Sequence, residues 1–325
     1  MMRMLIPVLL FFGCATSSSP GAREGLWTIR DTRLFVRDVG PIESPVLLVI
    51  HGGPGGNHNS LLPLERFAPQ YRVVFYDQRG TGASDRLGPG ALSRLTLEEN
   101  VEDLEAVRQQ VGKERVSIIG HSFGGALAIF YAAKYPQHVD RLIVYSGGPE
   151  NQTIANEKRE AHLKKMTEEE RNQLRTRIQA LQVAAEKNAS EDDLDKLFLK
   201  VAEVMFPSLY CKRPSGGDGE KGRAGFWASQ AVNGYIDSFE RHAFVNQLKK
   251  IDRPVLLTWG RCEPSPKDRL LYLLDHLPDA RMVVFEESGH NAMEEEPDLF
   301  FATVAAFLSG TELPDRSYRL RQEVP

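Results

Sequence analysis

Six short apolar runs constrain this chain more than any other feature: VLLVI (46–50), RVVFYD (72–77), VSIIG (116–120), RLIVYS (141–146), PVLLTWG (254–260) and RMVVFE (281–286). Largely without polar alternation, they read as strands buried on both faces. Between most of them lie helix-like stretches such as LTLEENVEDLEAVRQQVG, GGALAIFYAAKYP and PKDRLLYLLDHLP. Strands alternating with helices pair in parallel through right-handed crossovers, which predicts an α/β fold with a mostly parallel sheet flanked by helices. Residues 25–40, GLWTIRDTRLFVRDVG, alternate around Arg30-Asp31-Thr32 and predict an antiparallel hairpin ahead of that sheet.

The alternation breaks once. Between Ser146 and Pro254 no buried-type run occurs; Asn156 to Phe206 is charged and helical in period, with capping patterns at Thr167-x-x-Glu170 and Ser190-x-x-Asp193. PSGGDGEKGRAG (214–225) then reads as a glycine-rich loop. These boundaries predict a core over 25–149, a helical cap over 150–250, the rest of the core over 251–310 and a tail over 311–325. Ligands bind at the carboxyl ends of parallel strands, where such an insertion forms a lid. The 325 residues, 42% of them hydrophobic, suffice for a sizeable core. Forty basic and 44 acidic side chains, free of long single-sign blocks, argue against nucleic acid as a partner.

Gly120-His121-Ser122-Phe123-Gly124 fits G-x-S-x-G between an apolar strand and a helix. Glycines two residues either side of Ser122 permit a turn tight enough to hold the serine strained with its hydroxyl exposed. A serine hydroxyl is a poor nucleophile without a base. His290, in a loop after the last long strand, falls where the base belongs in the order serine, acid, histidine. The acid belongs to the loop before it, where RCEPSPKD offers Glu263, three residues past the strand end, and Asp268, deeper and inside the next expected helix. Glu263 is the nearer candidate and Asp268 the alternative.

HGGPGG (51–56) ends the first long strand and so reaches the same rim. A tetrahedral intermediate needs two backbone N–H groups aimed at its oxygen. The Phe123 amide, following the nucleophile, is one candidate; Gly53, on a loop without side chains and braced by Pro54, is the other. Neither phosphate-binding glycine pattern is present. No motif implies a metal or organic cofactor.

The N-terminus differs in kind. Met1-Met2-Arg3, the apolar Leu5–Phe12 and Gly13-Cys14 read as an export signal over 1–14, too short to span a bilayer, followed by a flexible tether over 15–24. PVLLFFGCATSSS resembles a bacterial lipoprotein signal, which implies lipidation at Cys14 and an envelope location; an ordinary secretory signal is the alternative. Cys211 and Cys262 are free to pair in an oxidising compartment, but spacing gives no distance between them.

With strand-HGGPGG, strand-YDQRGTGAS, strand-GHSFGG, strand-GRCE and strand-SGH in this order, the chain resembles the α/β-hydrolase fold from about residue 25 to 310. HGGPGG together with DQRGTGAS (77–84) is similar to the proline iminopeptidase group, serine aminopeptidases that remove N-terminal residues, often proline, from peptides. The resemblance implies a triad of Ser122, Glu263 and His290, an oxyanion hole of Gly53 and Phe123, and a structural role for Asp77, Gln78 and Arg79. The chain departs from the group at GHSFG, where members often carry GGSWG or GGSYG, and at Glu263, where aspartate is usual. Pro264 stands where some relatives place a glutamate for the substrate amine, which leaves cap carboxylates such as Glu203 or Glu240 as candidates. A carboxylesterase or lactonase acting on small acyl compounds is the alternative activity. A non-catalytic envelope protein is a third reading, against which the filled triad positions argue. The expected partner is a small peptide or acyl substrate; oligomeric state stays open.

Overall fold

The computed structural model describes residues 21–212, 222–314 and 317–324. The expected export signal with Cys14, the expected tether up to residue 20 and residues 214–221 of the glycine-rich stretch lie outside the described residues.

The expected hairpin is present as β1 (Arg23–Ile29) and β2 (Thr32–Val39), antiparallel, with Trp27 opposite Leu34. The six apolar runs form β3 (Val46–Ile50), β4 (Arg72–Tyr76), β5 (Val116–His121), β6 (Val139–Tyr145), β7 (Val255–Gly260) and β8 (Ala280–Phe285). They are parallel to one another in the order β1-β2-β4-β3-β5-β6-β7-β8-β9, where β9 (Ser317–Tyr318) is a short antiparallel edge strand. Nothing in the apolar pattern of the tail signals β9.

Two-faced burial explains why the runs lack alternation. In β3, Val46, Leu48 and Ile50 face one core with Leu104 and Leu127, while Leu47 and Val49 face a second core with Phe300 and Val304. The first two belong to α1 (Leu97–Val111) and α2 (Phe123–Lys134). Each fully buried aliphatic side chain contributes about 1.5–3 kcal/mol, so a polar residue is costly on either face.

Five helices lie between β6 and β7: α3 (Gln152–Lys165), α4 (Glu168–Glu186), α5 (Glu191–Met205), α6 (Phe226–Ser238) and α7 (Arg241–Leu248). Thr167 and Glu170 form the reciprocal capping box at the start of α4, and Ser190 caps α5 by accepting from the Asp193 amide. These helices bury a small core of their own, including Leu174, Leu181, Leu194, Val201 and Phe226. The last one, α7, returns to the main core, with the Phe244 ring 4.6 Å from that of Phe130 on α2. The chain ends through α8 (Asp268–His276), α9 (Ala292–Glu295) and α10 (Pro297–Ser309). No helix among the described residues is long and apolar enough to cross a membrane.

Cys211 and Cys262 are joined in a disulfide with Cα atoms 5.0 Å apart, which answers the question their spacing left open. The bond ties the segment leaving α5 to the loop after β7.

Candidate active site

The carboxyl ends of β3, β5, β7 and β8 converge on one rim. At the end of β5 the backbone turns through Ser122 at φ 55°, ψ −120°, a left-handed conformation that costs a non-glycine residue about 1–3 kcal/mol. Close approaches enforce the turn. A Cβ at Gly120 would collide with the Gly124 carbonyl, and one at Gly147 with the carbonyl of Ser122 itself. The Ser122 amide donates to Tyr145 O at 2.9 Å, while its side chain makes no capping hydrogen bond, so the hydroxyl is left for other work. Phe123 opens α2, so its own amide has no intrahelical acceptor and lies at the positive end of the helix dipole, while the Gly125 amide donates to Ser122 O at 3.0 Å.

Glu263 and His290 meet because their loops touch. A Cβ at Gly260 would collide with the Gly289 carbonyl, so only glycine lets the loops after β7 and β8 close together. His290 Nδ1 lies 3.0 Å from Glu263 Oε1, both residues being only 7% exposed. A carboxylate can only accept, so Nδ1 carries the hydrogen and Nε2 is left as the basic nitrogen. Asp268, the alternative acid, is exposed and pairs with Arg321 at 3.1 Å.

Burial alone would raise the Glu263 carboxyl; the Arg269 guanidinium and His290 outweigh it and hold the group below the usual glutamate value. Sequence reasoning missed Arg269, which reaches Glu263 Oε1 at 2.5 Å from the first turn of α8. It also missed His121, whose ring lies 4.8 Å from that of His290 and whose Nε2 donates to His290 O at 3.2 Å. Burial first, and then the neighbouring His290, push His121 well below an ordinary histidine, which keeps it neutral. Cap residues complete the enclosure: the His290 amide donates to Leu209 O at 2.7 Å, and Lys165 Nζ donates to Cys262 O at 2.8 Å.

The HGGPGG loop passes directly against the serine. A Cβ at Gly52 would stand 2.8 Å from Ser122 Cβ and 3.0 Å from His121 O. Gly53, next in line, has φ +122°, a conformation that favours glycine. The loop is anchored below by His51, whose Nε2 accepts from the Gln78 amide at 3.0 Å, and above by Gly225, whose amide donates to Gly55 O at 2.8 Å. Asp77 accepts from the His58 and Ala83 amides at 2.8 and 2.7 Å, and Arg79 is fully buried on Asp103 at 2.6 Å. The DQRG stretch thus builds the floor of the loop.

Glu203 is exposed and pairs with Arg177 at 3.0 Å, and Glu240 is exposed ahead of α7. Among the described residues no group of three His, Cys, Asp or Glu side chains is arranged to hold a metal.

A family profile described as alpha/beta hydrolase fold matches residues 45–297. A proline iminopeptidase from Saccharolobus solfataricus is 32% identical over 270 residues, which cover 81% of this chain and 84% of that protein. The crystal structure of a proline iminopeptidase-related protein from Thermus thermophilus superposes with a TM-score of 0.68 at 23% identity, over 89% of this chain and 98% of that one. An esterase from Exiguobacterium antarcticum superposes with a TM-score of 0.64 at 20% identity, over 88% of this chain and 100% of that one. These two structural likenesses concern the fold.

Proposed function

The chain belongs to the alpha/beta hydrolase fold family, and from that premise we propose that it is a serine hydrolase working through an acyl-enzyme, an aminopeptidase that releases N-terminal residues such as proline from peptides. The observation that carries the chemistry is the buried contact of His290 Nδ1 with Glu263 Oε1, 3.0 Å, on the rim where Ser122 is held strained. The relative at 32% identity carries the choice of substrate.

In this reading His290 Nε2 removes the Ser122 proton as Oγ attacks the scissile carbonyl. Glu263 orients the imidazole and stabilises its charged form. The amides of Phe123 and Gly53 receive the oxyanion. His290 then gives its proton to the leaving amine, and the same base activates the water that hydrolyses the ester.

The alternative, hydrolysis of small esters or lactones, uses the same residues. It is favoured by the exposed positions of Glu203 and Glu240, which supply no evident carboxylate for a substrate amine. A panel of proline and other aminoacyl anilides set against short-chain aryl esters tests the choice. Anilide turnover with preference for proline is expected; turnover of esters alone rejects the peptidase reading.

Export through residues 1–14 with lipidation at Cys14 belongs to the same proposal, as does an envelope location. The Cys211–Cys262 disulfide supports an oxidising compartment. Labelled palmitate incorporated by the wild type and lost in Cys14→Ala is the expected result; no labelling, or equal labelling of both, rejects it.

A further inference from the structure

The triad acid carries a second load. Glu263 Oε1 accepts from His290 Nδ1 at 3.0 Å and from Arg269 Nη2 at 2.5 Å, so one carboxylate oxygen is shared between imidazole and guanidinium. Arg269 is 2% exposed; its Nη2 also donates to Ser146 O at 2.7 Å and its Nη1 to Glu150 Oε1 at 2.6 Å. Glu150 in turn takes Lys158 Nζ of α3 at 2.6 Å. The result is a chain of alternating charge, Lys158, Glu150, Arg269, Glu263 and His290, buried from Glu150 onward and running from a partly exposed cap lysine to the catalytic base.

We propose that Arg269 is a positioning residue for the hydrolytic reaction, fixing the rotamer of Glu263 and setting how strongly that carboxylate supports a proton on His290. This rests on the assignment of Ser122, Glu263 and His290 above. The physical reason lies in the acid itself. A glutamate has one more rotatable bond than an aspartate, so in a loop it needs a second anchor to hold one oxygen against Nδ1. A guanidinium provides it with a rigid fork of donors. A buried cation also faces the imidazole across the shared carboxylate, so removing it favours a positive charge on the ring.

The neighbouring charged and titratable groups are held by partners of their own. His121, from the end of β5, is held neutral by burial. His162, on α3, is bonded through Nδ1 to Ser208 Oγ at 2.7 Å and is held down to about 4 by burial and then by Lys158. Lys165, also on α3, is turned to the Cys262 and Tyr210 carbonyls at 2.8 and 3.0 Å. Tyr145, on β6, accepts from the Met293 amide at 3.0 Å. Glu295, on α9, accepts from the Gly289 amide at 2.6 Å and so touches the loop, not the ring. Besides His290, Arg269 is the charged group that bonds the acid directly, with the uncharged Ser265 hydroxyl beside it.

The test is the pH profile of kcat/KM for wild type, Arg269→Met, Arg269→Lys and Glu150→Gln, on whichever anilide or ester the wild type turns over, with thermal melts to register folding. Arg269→Met is expected to lose about ten- to a hundred-fold in kcat/KM, mainly in kcat, with the acid limb moved up by about one pH unit. Arg269→Lys keeps the charge and should leave the limb in place while recovering part of the rate. Glu150→Gln removes a negative charge and should move the limb down. A folded Arg269→Met with kcat/KM within about two-fold of wild type and an unmoved limb overturns the proposal. Should Arg269→Met not fold, Glu150→Gln and Arg269→Lys decide: an unmoved limb in the first, or a raised limb in the second, overturns it. Labelling of wild-type Ser122 by a fluorophosphonate separates the two claims, since its failure refutes the site assignment, whereas labelled wild type with unaltered variants refutes the role of Arg269 alone.

Discussion

His290 Nδ1 and Glu263 Oε1 stand 3.0 Å apart with both residues buried, while Asp268, five residues further along, is exposed on Arg321. The relationship fixes which carboxylate can act on the imidazole. Glu263→Gln keeps the shape but removes the charge and the acceptor-only character that selects the tautomer. Its kcat is expected to fall by about 10³- to 10⁴-fold, whereas Asp268→Asn stays within about two-fold of wild type. Steady-state kinetics on any turned-over substrate checks both; the reverse pattern would return the role to Asp268.

Gly52 predicts a steric effect on Ser122. An alanine methyl there stands 2.8 Å from Ser122 Cβ, closer than carbon atoms tolerate, and the neighbouring His121 carbonyl leaves no easy retreat. Gly52→Ala is expected to cost about a hundred-fold in kcat or more through a displaced serine, with a melting temperature that falls by only a few degrees. Wild-type kcat in this variant contradicts the described approach of the loop.

Stability should depend on pH through His162. Burial first, and then Lys158, lower it from 6.5 to about 4, so below pH 6.5 the unfolded chain binds a proton that the folded chain refuses. Stability therefore declines as pH falls from about 6.5 to about 4 and the contribution levels off below that, with a total on the order of 3 kcal/mol for this group. Denaturant unfolding of wild type and His162→Gln at several pH values checks it; the variant should show a flatter slope across that window.

The disulfide predicts a large stability term. Its partners are 51 residues apart, and closing a loop of that length removes about 4 kcal/mol of unfolded-state entropy. Cys211→Ser/Cys262→Ser, or wild type in a dithiol reductant, should unfold at correspondingly lower denaturant concentration. Identical unfolding curves with and without reductant would mean that the bond does not form.

What the sequence made legible was whatever repeats or punctuates the chain. VLLVI and its five counterparts declare two-faced burial, and the glycines around Ser122 and in HGGPGG mark close backbone approaches that the structure contains at Gly52 and Gly120. Contacts between distant segments left no such mark. Arg269 sits in PKDRLLYLLDHLP, where an arginine in the first turn of a helix looks like a solvated charge, and only the fold turns it inward onto Glu263 and Glu150. The pairing of Cys211 with Cys262 and the docking of Leu209 O on the His290 amide depend in the same way on where the cap segment lands. The edge strand β9 is two residues long, below what an apolar pattern can signal.

The most direct test of the account is covalent trapping at the proposed nucleophile, Ser122. Incubating the purified protein with a fluorophosphonate and mapping the adduct by peptide mass spectrometry should place one label on Ser122, abolish hydrolysis in proportion to labelling, and give no adduct in Ser122→Ala. An unlabelled wild type that still hydrolyses substrate, or a label on another residue with activity lost, would contradict it.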